Sequence, residues 1–233
     1  MLDVAIRRPD GSTTVDWQHV GLRTTPPLPV APALGALLPG GLRRGSTVLV
    51  TGSVSLLFAL LGAASAGGAW CALVGFPPVS AEALRGYGVT LRRVALVPVP
   101  DTVSGGWVTA AGALLDALDI VAVRPPRGRS PAPGDVRRLA ARARSKDAVL
   151  VPFLPGHTGA AGWPGADVRL QAHGGTWSGT MDGHGRLRAR QVEVTAGGRG
   201  PAARPRTAQL WLPGPAGGVH AVTPLAPVTE LVR

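Results

Sequence analysis

The sequence predicts an α/β fold: a mainly parallel β-sheet flanked by helices, with antiparallel strands added at its C-terminal end. Two patterns support this prediction. Between residues 46 and 154, apolar runs of strand length alternate with segments of helix length, as in sheets whose connections cross over both faces. After residue 165, segments of alternating polarity are separated by Gly-rich stretches, which is typical of antiparallel strands. With 45% hydrophobic residues among 233, the chain can fill the core of one sizeable domain.

The parallel part begins with STVLVTG, residues 46–52, which is apolar on both faces, contains β-branched residues and stops at glycine. Ser53 suits the N-cap of a helix that is expected to reach about Ser65. By the same criteria, strands are predicted over 46–52, 69–75, 92–99, 119–123 and 147–154, and helices over 53–65, 79–86, 106–118 and 135–146.

Four further strands are predicted at the C-terminal end, and LRARQVEV alternates in polarity as a half-exposed strand does. The segment GGRGPAARPR, residues 197–206, is expected to be a basic, flexible turn. These strands are placed within 166–174, 175–183, 185–194 and 207–213. The expected domain organisation is a lead-in over 1–33, a core domain over 34–213 and a tail over 214–233.

The longest apolar stretch, residues 54–76, could span a bilayer on length alone. Its Gly-Gly pair at 67 and 68 divides it into a helix-length piece and a strand-length piece, so a buried βαβ unit is the better interpretation. The N-terminus lacks the apolar core of a signal peptide, and the single cysteine, Cys71, excludes a disulfide framework within the chain. These features predict a cytoplasmic protein with no membrane partner.

The corner after STVLVTG lies where nucleotide-binding proteins keep a phosphate loop. Such a loop needs several backbone N–H groups around the anion, a lysine for charge and a hydroxyl for magnesium. Gly52, Ser53 and Ser55 begin the helix, but no lysine follows them. A later strand ends in Arg124, where a magnesium-positioning acid would be needed, and the five histidines show no metal-ligand spacing. We therefore predict a degenerate nucleotide site, with no catalytic residue, no cofactor and no metal ion.

Positive charge is concentrated in the second half of the chain. Residues 1–120 carry 8 basic and 7 acidic side chains, whereas residues 121–233 carry 16 basic and 6 acidic ones. This asymmetry favours a polyanion or an acidic partner, and a solvated arginine surface is the alternative. No aromatic residue is interleaved with these arginines, so base stacking is not expected. The candidate DNA- or partner-binding residues are Arg124, Arg127, Arg129, Arg137, Arg138, Arg142, Arg144, Arg186, Arg188 and Arg190.

The order of these features resembles the core of the RecA recombinases over about residues 30–213. PALGALLPGGLRRGSTVLVTG is similar to the segment before the RecA Walker A loop: an aliphatic helix, a GGLxxG turn, then a strand ending in glycine. DIVAV matches the Walker B strand without its acid, and ARQVEVTAGGRGPAARPRTAQLWL resembles the C-terminal strands with their basic hairpin. The Walker A lysine is absent, and residues 155–165 are much shorter than the DNA-binding loop of RecA. The resemblance therefore implies a RecA-like fold without ATPase activity.

A short, degenerate RecA homologue from a GC-rich genome is similar to the ImuA-type proteins of actinobacterial mutagenesis cassettes. That family works with ImuB, a Y-family polymerase homologue, and with an error-prone replicative-type polymerase in damage-induced translesion synthesis. The resemblance implies a non-catalytic accessory role in the SOS response, with these two partners, DNA as an optional third, and association with the nucleoid during DNA damage.

Three alternatives stay open at this point: an active RecA-like ATPase with unusual loops, a free-standing DNA-binding protein, and a cell-division inhibitor with a degenerate RecA-like fold. Trp107, Trp163 and Trp211 are candidates for hydrophobic partner contacts, because tryptophan often anchors interfaces, and each equally suits a core position.

Overall fold

A computed structural model of the protein describes residues 6–7, 13–14, 25–99, 105–126, 131–156, 162–181 and 184–222. Eleven strands and four α-helices lie within these residues. The strands are β1 (Ile6–Arg7), β2 (Thr13–Thr14), β3 (Val48–Thr51), β4 (Cys71–Val74), β5 (Val94–Val97), β6 (Ile120–Val123), β7 (Val149–Leu154), β8 (Val168–Met181), β9 (His184–Gly198), β10 (Arg206–Trp211) and β11 (His220–Ala221). The helices are α1 (Val54–Ala66), α2 (Ala81–Gly86), α3 (Gly106–Leu115) and α4 (Pro133–Ser145).

Nine of these strands form one sheet in the order β11-β10-β9-β8-β3-β7-β6-β4-β5. Within the run of six strands from β8 to β5, each strand is parallel to the next. From β8 to β11, each strand is antiparallel to the next. The strands β1 and β2 pair with each other outside this sheet. The predicted fold class is therefore confirmed.

The strands β3, β4 and β6 are buried on both faces, because helices cover both faces of the sheet. Successive side chains of a strand point to opposite faces. In β4, Cys71 and Leu73 accordingly pack in the core beside α1 and α2, whereas Ala72 and Val74 pack beside α3 and α4. The period-two alternation that builds two cores also explains why these strands are apolar throughout.

Helix α1 contains no charged residue, and nine of its thirteen residues are buried. It packs in the same cluster as the sheet and as Leu28, Leu34 and Leu42 from the preceding segment. A helix that is apolar around its circumference suits such a position, covered on several sides. The apolar stretch 54–76 is thus divided into α1 and β4, as the sequence predicted.

The predicted elements of the parallel part agree with the structure to within about three residues at each end. The C-terminal part differs. The prediction placed two strands over 166–174 and 175–183, but β8 is one continuous strand with an irregular register between His173 and Thr176. The Gly174-Gly175 pair is therefore a bulge in a strand rather than a turn between strands.

Two further expectations about irregular segments were wrong. Residues 197–206 are not a flexible turn throughout, because β9 continues to Gly198 and a single 3₁₀ turn follows at Gly200–Ala202. The aliphatic helix expected before the GGLRRG turn is only a 3₁₀ turn, Pro32–Leu34. Leu28 and Leu42 instead close this segment with reciprocal backbone hydrogen bonds of 2.8 Å.

Parallel strands begin at one edge of the sheet and end at the other, so this fold has two chemically distinct edges. The carboxyl edge contains Gly52, Gly75 and Arg124, each directly after its strand. The amino edge contains the turn at Arg43–Ser46 before β3 and Asp167 before β8. Ligands of open α/β sheets usually bind at the carboxyl edge, so this edge is described first.

Candidate functional site

The corner between β3 and α1 is too tight to surround a phosphate chain. Gly52 has a φ of +83°, and its amide donates a hydrogen bond of 3.3 Å to the Leu154 carbonyl. Ser53 is the N-cap, buried and without a side-chain capping hydrogen bond, and α1 begins at Val54. The amide of Gly52 is already used within the sheet, so little of a backbone N–H cradle is left.

A cavity of about 440 Å³ does open at the carboxyl edge beside this corner. Its lining is mostly aromatic and prolyl, and the rings of Phe76 and Phe153 stack with centroids 5.7 Å apart. Among the described residues of the lining, Arg124 alone is charged. The residues that line the cavity are Gly52, Val54, Phe58, Phe76, Pro77, Pro78, Val79, Ser80, Arg124, Phe153 and Pro155. One guanidinium beside apolar walls does not provide the charge and hydroxyl ligands that a magnesium–triphosphate complex needs.

Arg124 lies where the sequence predicted, at the end of β6, and its backbone is fixed from two sides. Its amide donates to the Val74 carbonyl at 2.9 Å. Its own carbonyl lies so close to Gly75 that a Cβ there would approach it to 2.5 Å, and Gly75 has a φ of +74°. Ser55, the remaining residue of the predicted degenerate site, is the second residue of α1 and is half-buried.

The candidate binding arginines of α4 lie on its exposed face and make separate contacts. Arg142 donates two hydrogen bonds to the Asp116 carboxylate, one of them 2.8 Å long from Nε, and so joins α4 to the end of α3. Arg138 forms an ion pair with Asp135 one turn earlier. Arg137 donates to the Pro133 carbonyl at 3.2 Å. Much of this arginine face is therefore engaged in contacts within the fold.

The pKa of the Asp116 carboxyl reflects these contacts. The hydrogen bond from Arg142 lowers the pKa of the Asp116 carboxyl, and the positive charges of Arg142 and Lys146 lower it further. Lys146 lies 3.9 Å from the same carboxylate. In return, Asp116 raises the pKa of the Arg142 guanidinium. Both groups are solvent-exposed, so the pair holds two helices together without forming a pocket.

The predicted arginines of the C-terminal hairpin lie on a two-stranded ribbon that extends past the carboxyl edge. β8 pairs with β3 only as far as Gln171, and ten more residues of β8 follow, enough for up to about 30 Å of extended chain. Residues 174–180 and 184–188 are all exposed. Arg186 and Arg188 lie on this ribbon and alternate with Leu187, so they project from the same face.

Arg190 lies at the base of the ribbon and contacts an aromatic ring. Its guanidinium lies 5.8 Å from the ring centroid of its cross-strand partner Trp177, and it donates a hydrogen bond to the Gly174 carbonyl in the bulge. Trp177 is 44% exposed. The expectation that no aromatic side chain accompanies these arginines was therefore wrong, because β-pairing brings together residues that are 13 positions apart in the chain.

A second, larger cavity lies at the amino edge, where no site was predicted. We name it the arginine groove. It has a volume of about 770 Å³, and arginines from three parts of the chain line it. Its charged lining comprises Arg43, Arg44, Arg144, Arg199, Arg206, Asp147 and Asp167. Arg144 is the only residue of this set among the predicted candidates, although the GGLRRG turn and the basic segment 197–206 were visible in the sequence.

The remaining residues singled out in the sequence are two arginines and three tryptophans. Arg127 and Arg129 lie outside the described residues. Trp107 and Trp163 are core residues with ring centroids 6.1 Å apart, whereas Trp211 is half-buried. The most exposed tryptophans of the described chain are Trp70 and Trp177.

Cys71 is fully buried and packs as a small core residue. Burial and the nearby charge of Asp119 raise the pKa of its thiol to about 12, so it is not a nucleophile in the native protein. Within the described ranges, no three His, Cys, Asp or Glu side chains are close enough to hold a metal ion.

The same part of the chain has no helix with the length and hydropathy needed to cross a bilayer.

Comparison with known proteins identifies a related family. A family model described as "MT3502 N-terminal domain" matches residues 36–165, which contain β3 to β7 and all four helices. The chain is also similar to a protein of Mycobacterium tuberculosis described as "Uncharacterized protein Rv3395c". The two are 33% identical over 141 residues, which is 59% of this chain and 64% of the mycobacterial protein. The match thus spans less than two thirds of that relative's length.

Proposed function

Because the chain belongs to the MT3502 N-terminal domain family, we propose that it is a non-catalytic, RecA-like accessory protein of the ImuA type, acting in SOS-induced translesion synthesis. In this proposal it binds ImuB and the error-prone replicative-type polymerase in the cytoplasm and joins the nucleoid during DNA damage. The mycobacterial relative is in keeping with an actinobacterial family, and the order of sequence motifs supplies the resemblance to ImuA.

The observation that carries the non-catalytic part is the composition of the carboxyl edge. Three phenylalanines and three prolines line its cavity, together with one cation, Arg124. The neighbouring corner continues from Gly52 into α1 within two residues. An ATPase needs a phosphate cradle, a lysine and a metal-positioning acid at this edge. A protein that keeps the sheet without those groups is suited to binding rather than to hydrolysis.

The ribbon supports contact with DNA as a second element of the proposal. Arg186 and Arg188 are exposed, and neither has a carboxylate partner among the described residues. Trp177 is exposed on the partner strand, and the guanidinium of Arg190 lies over its ring. Arginines that contact phosphates and an aromatic ring that stacks on a base form the usual pattern of single-strand binding.

The non-catalytic role is tested by calorimetric titration of the full chain with Mg-ATP, together with purification of complexes with ImuB. We expect no binding heat, no phosphate release, and retention of ImuB. A deletion strain should lose damage-induced mutagenesis and regain it with the wild-type gene. ATP hydrolysis by the purified chain would overturn the non-catalytic role. Failure to retain either polymerase partner, combined with unchanged mutagenesis in the deletion strain, would overturn the accessory role.

The DNA contact is tested by the double substitution R186A/R188A and measured by anisotropy of a labelled single-stranded oligonucleotide. Each lost phosphate contact should reduce the slope of log affinity against log salt by about 0.7. The matched control is R85A/R92A, which removes the same charge from two exposed positions outside the ribbon. Equal weakening by both variants would mean that only net charge matters, and the ribbon would then not be the binding element.

A further inference from the structure

The arginine groove has a charged rim whose members come from separate elements. Arg43 precedes β3, Arg144 lies in the last turn of α4, Arg199 follows β9 and Arg206 begins β10. The turn before β3 lies directly against the end of α4, since a Cβ on Gly45 would lie 3.3 Å from the Arg144 Cα. The tertiary fold therefore assembles this rim, which the linear sequence does not show.

These four arginines have no carboxylate within 4 Å among the described residues. Arg44 is different, because it donates to Asp119 at 2.8 Å and so belongs to the structure of the wall. Four guanidinium groups around one concavity repel one another and attract an anionic ligand. These four guanidinium groups therefore lack a directly paired carboxylate of the kind that Asp116 provides for Arg142.

The floor of the groove is apolar. The buried side chains of Leu37, Leu38, Leu42 and Val48 lie beneath it, and Pro27, Pro39 and Val168 supply the more accessible apolar lining. A volume of about 770 Å³ falls in the usual range of ligand-binding clefts, about 300–1,000 Å³. A ligand that fills this shape needs apolar groups for the floor as well as anions for the rim.

The two carboxylates of the groove discriminate against a nucleic acid. Asp167 accepts a hydrogen bond of 2.9 Å from the Thr47 amide, and Asp147 accepts one of 3.2 Å from the Thr25 hydroxyl. A continuous phosphate backbone would pass close to both negative charges, and it has no apolar group for the leucine floor. A peptide places carboxylates, apolar side chains and backbone N–H donors at separate points and satisfies all three kinds of lining.

From this geometry we propose that the arginine groove is a docking site for an acidic peptide segment of a partner protein, with Asp or Glu side chains on the rim arginines and a hydrophobic side chain over the leucine floor. The planar guanidinium groups favour paired hydrogen bonds with carboxylates. The site lies at the edge of the sheet opposite the degenerate nucleotide corner, and it does not depend on the role in translesion synthesis.

The test is selection of short random peptides displayed on phage against the immobilised full chain, followed by anisotropy of the selected peptides. We expect the selected sequences to combine Asp or Glu with Leu, Ile or Phe. The substitution R43E/R144E should weaken their binding at least about tenfold per lost contact. R85E/R92E is the control, because it reverses two exposed charges outside the groove and should leave binding unchanged.

A peptide with reversed charge distinguishes a change in the binding site from unfolding of the variant. A selected peptide whose acids are replaced by Lys should bind R43E/R144E better than it binds the wild type. Peptides without acid enrichment, or acidic peptides that bind R43E/R144E as well as the wild type, would overturn the proposal. The proposal would also be overturned if R43E/R144E weakened the binding of a DNA duplex more than the binding of the peptides. The same holds if this substitution dissociated a dimer of the chain.

Discussion

The two edges of the parallel sheet differ in what surrounds their cavities. At the carboxyl edge, the aromatic rings of Phe58, Phe76 and Phe153 surround a cavity whose described lining contains a single cation. At the amino edge, the larger arginine groove has an apolar floor and a rim of arginines. In open α/β folds the carboxyl edge usually holds the ligand. Here the cavity at the opposite edge has the more arginine-rich lining.

This contrast teaches that a fold can keep its sheet while its binding chemistry lies elsewhere. Aromatic packing at the carboxyl edge supplies stability, because each buried ring removes a large apolar area from water. Unpaired arginines at the amino edge supply no stability of their own, and they leave charge available for a partner. The contrast can be tested by substituting residues at each edge and comparing losses of stability with losses of binding.

The largest effect is expected at the carboxyl edge for Phe153→Ala. Phe153 is 5% exposed and stacks on Phe76, so truncation should lower the free energy of unfolding by about 3 kcal/mol. Denaturant titration measures this loss. Phe153→Leu, which keeps most of the volume, is the control and should cost less than half as much. A loss below about 1 kcal/mol for the alanine variant would show that this edge is not a packed core.

The next effect concerns the helix that follows the carboxyl-edge corner. A Cβ on Gly62 of α1 would lie 2.0 Å from the Tyr87 carbonyl oxygen, so Gly62→Ala should lower the unfolding free energy by about 1–3 kcal/mol. Gly112→Ala in α3 is the matched control. Its Cβ would meet only the flexible Arg142 side chain at 3.8 Å, and the higher helix propensity of alanine should make it neutral or stabilising. Equal effects would contradict the close packing of α1.

At the amino edge, the neighbours Arg43 and Arg44 should separate structure from binding. Arg44→Ala removes the partly buried ion pair with Asp119 and should cost about 1–2 kcal/mol of unfolding free energy. Arg43→Ala removes an exposed, unpaired arginine and should change stability by less than about 0.5 kcal/mol. Thermal denaturation of the two variants checks the difference. If Arg43→Ala proved the more destabilising, the division of roles within the groove would be wrong.

The smallest effect is expected on the outer face of α3 and α4. Because the folded pKa of Asp116 is lowered, the Arg142 pair contributes stability above the ordinary Asp pKa of about 3.9 and loses it as the pH falls through the lowered value. Arg142→Gln should therefore raise the pKa of Asp116 towards its ordinary value, as followed by NMR of the carboxyl carbon. Arg138→Gln, which alters the contact to Asp135 instead, should leave that titration unchanged.

Much of the parallel half was predictable because its physical signals are local. A strand that is apolar on both faces, such as β3 or β6, stands out from its neighbours in any short window. The long hairpin was harder, since the Gly174-Gly175 bulge carries the same residues as a turn. The continuity of β8 follows from pairing with β9, which no short window contains.

The contacts of the candidate binding residues depend even more on residues that are distant in the sequence. Arg142 was identified as a surface arginine, but its contact to Asp116 joins residues 26 positions apart. The arginine groove combines Arg43 with Arg144 and Arg199, from segments separated by about a hundred and by more than fifty residues. The role of Arg124 in binding stays a prediction, as do those of Arg186 and Arg188. Sequence patterns located the charges but not their neighbours.

The position of β3 has a consequence for synthesis of the chain on the ribosome. β3 lies in the middle of the sheet, yet its partners β7 and β8 begin at residues 149 and 168, roughly a hundred or more residues later. At about 5–20 residues per second, some 6–24 seconds pass between the emergence of β3 and that of β8. During that interval the uncharged helix α1 has no complete sheet to cover it, so its apolar surface stays partly exposed on the nascent chain.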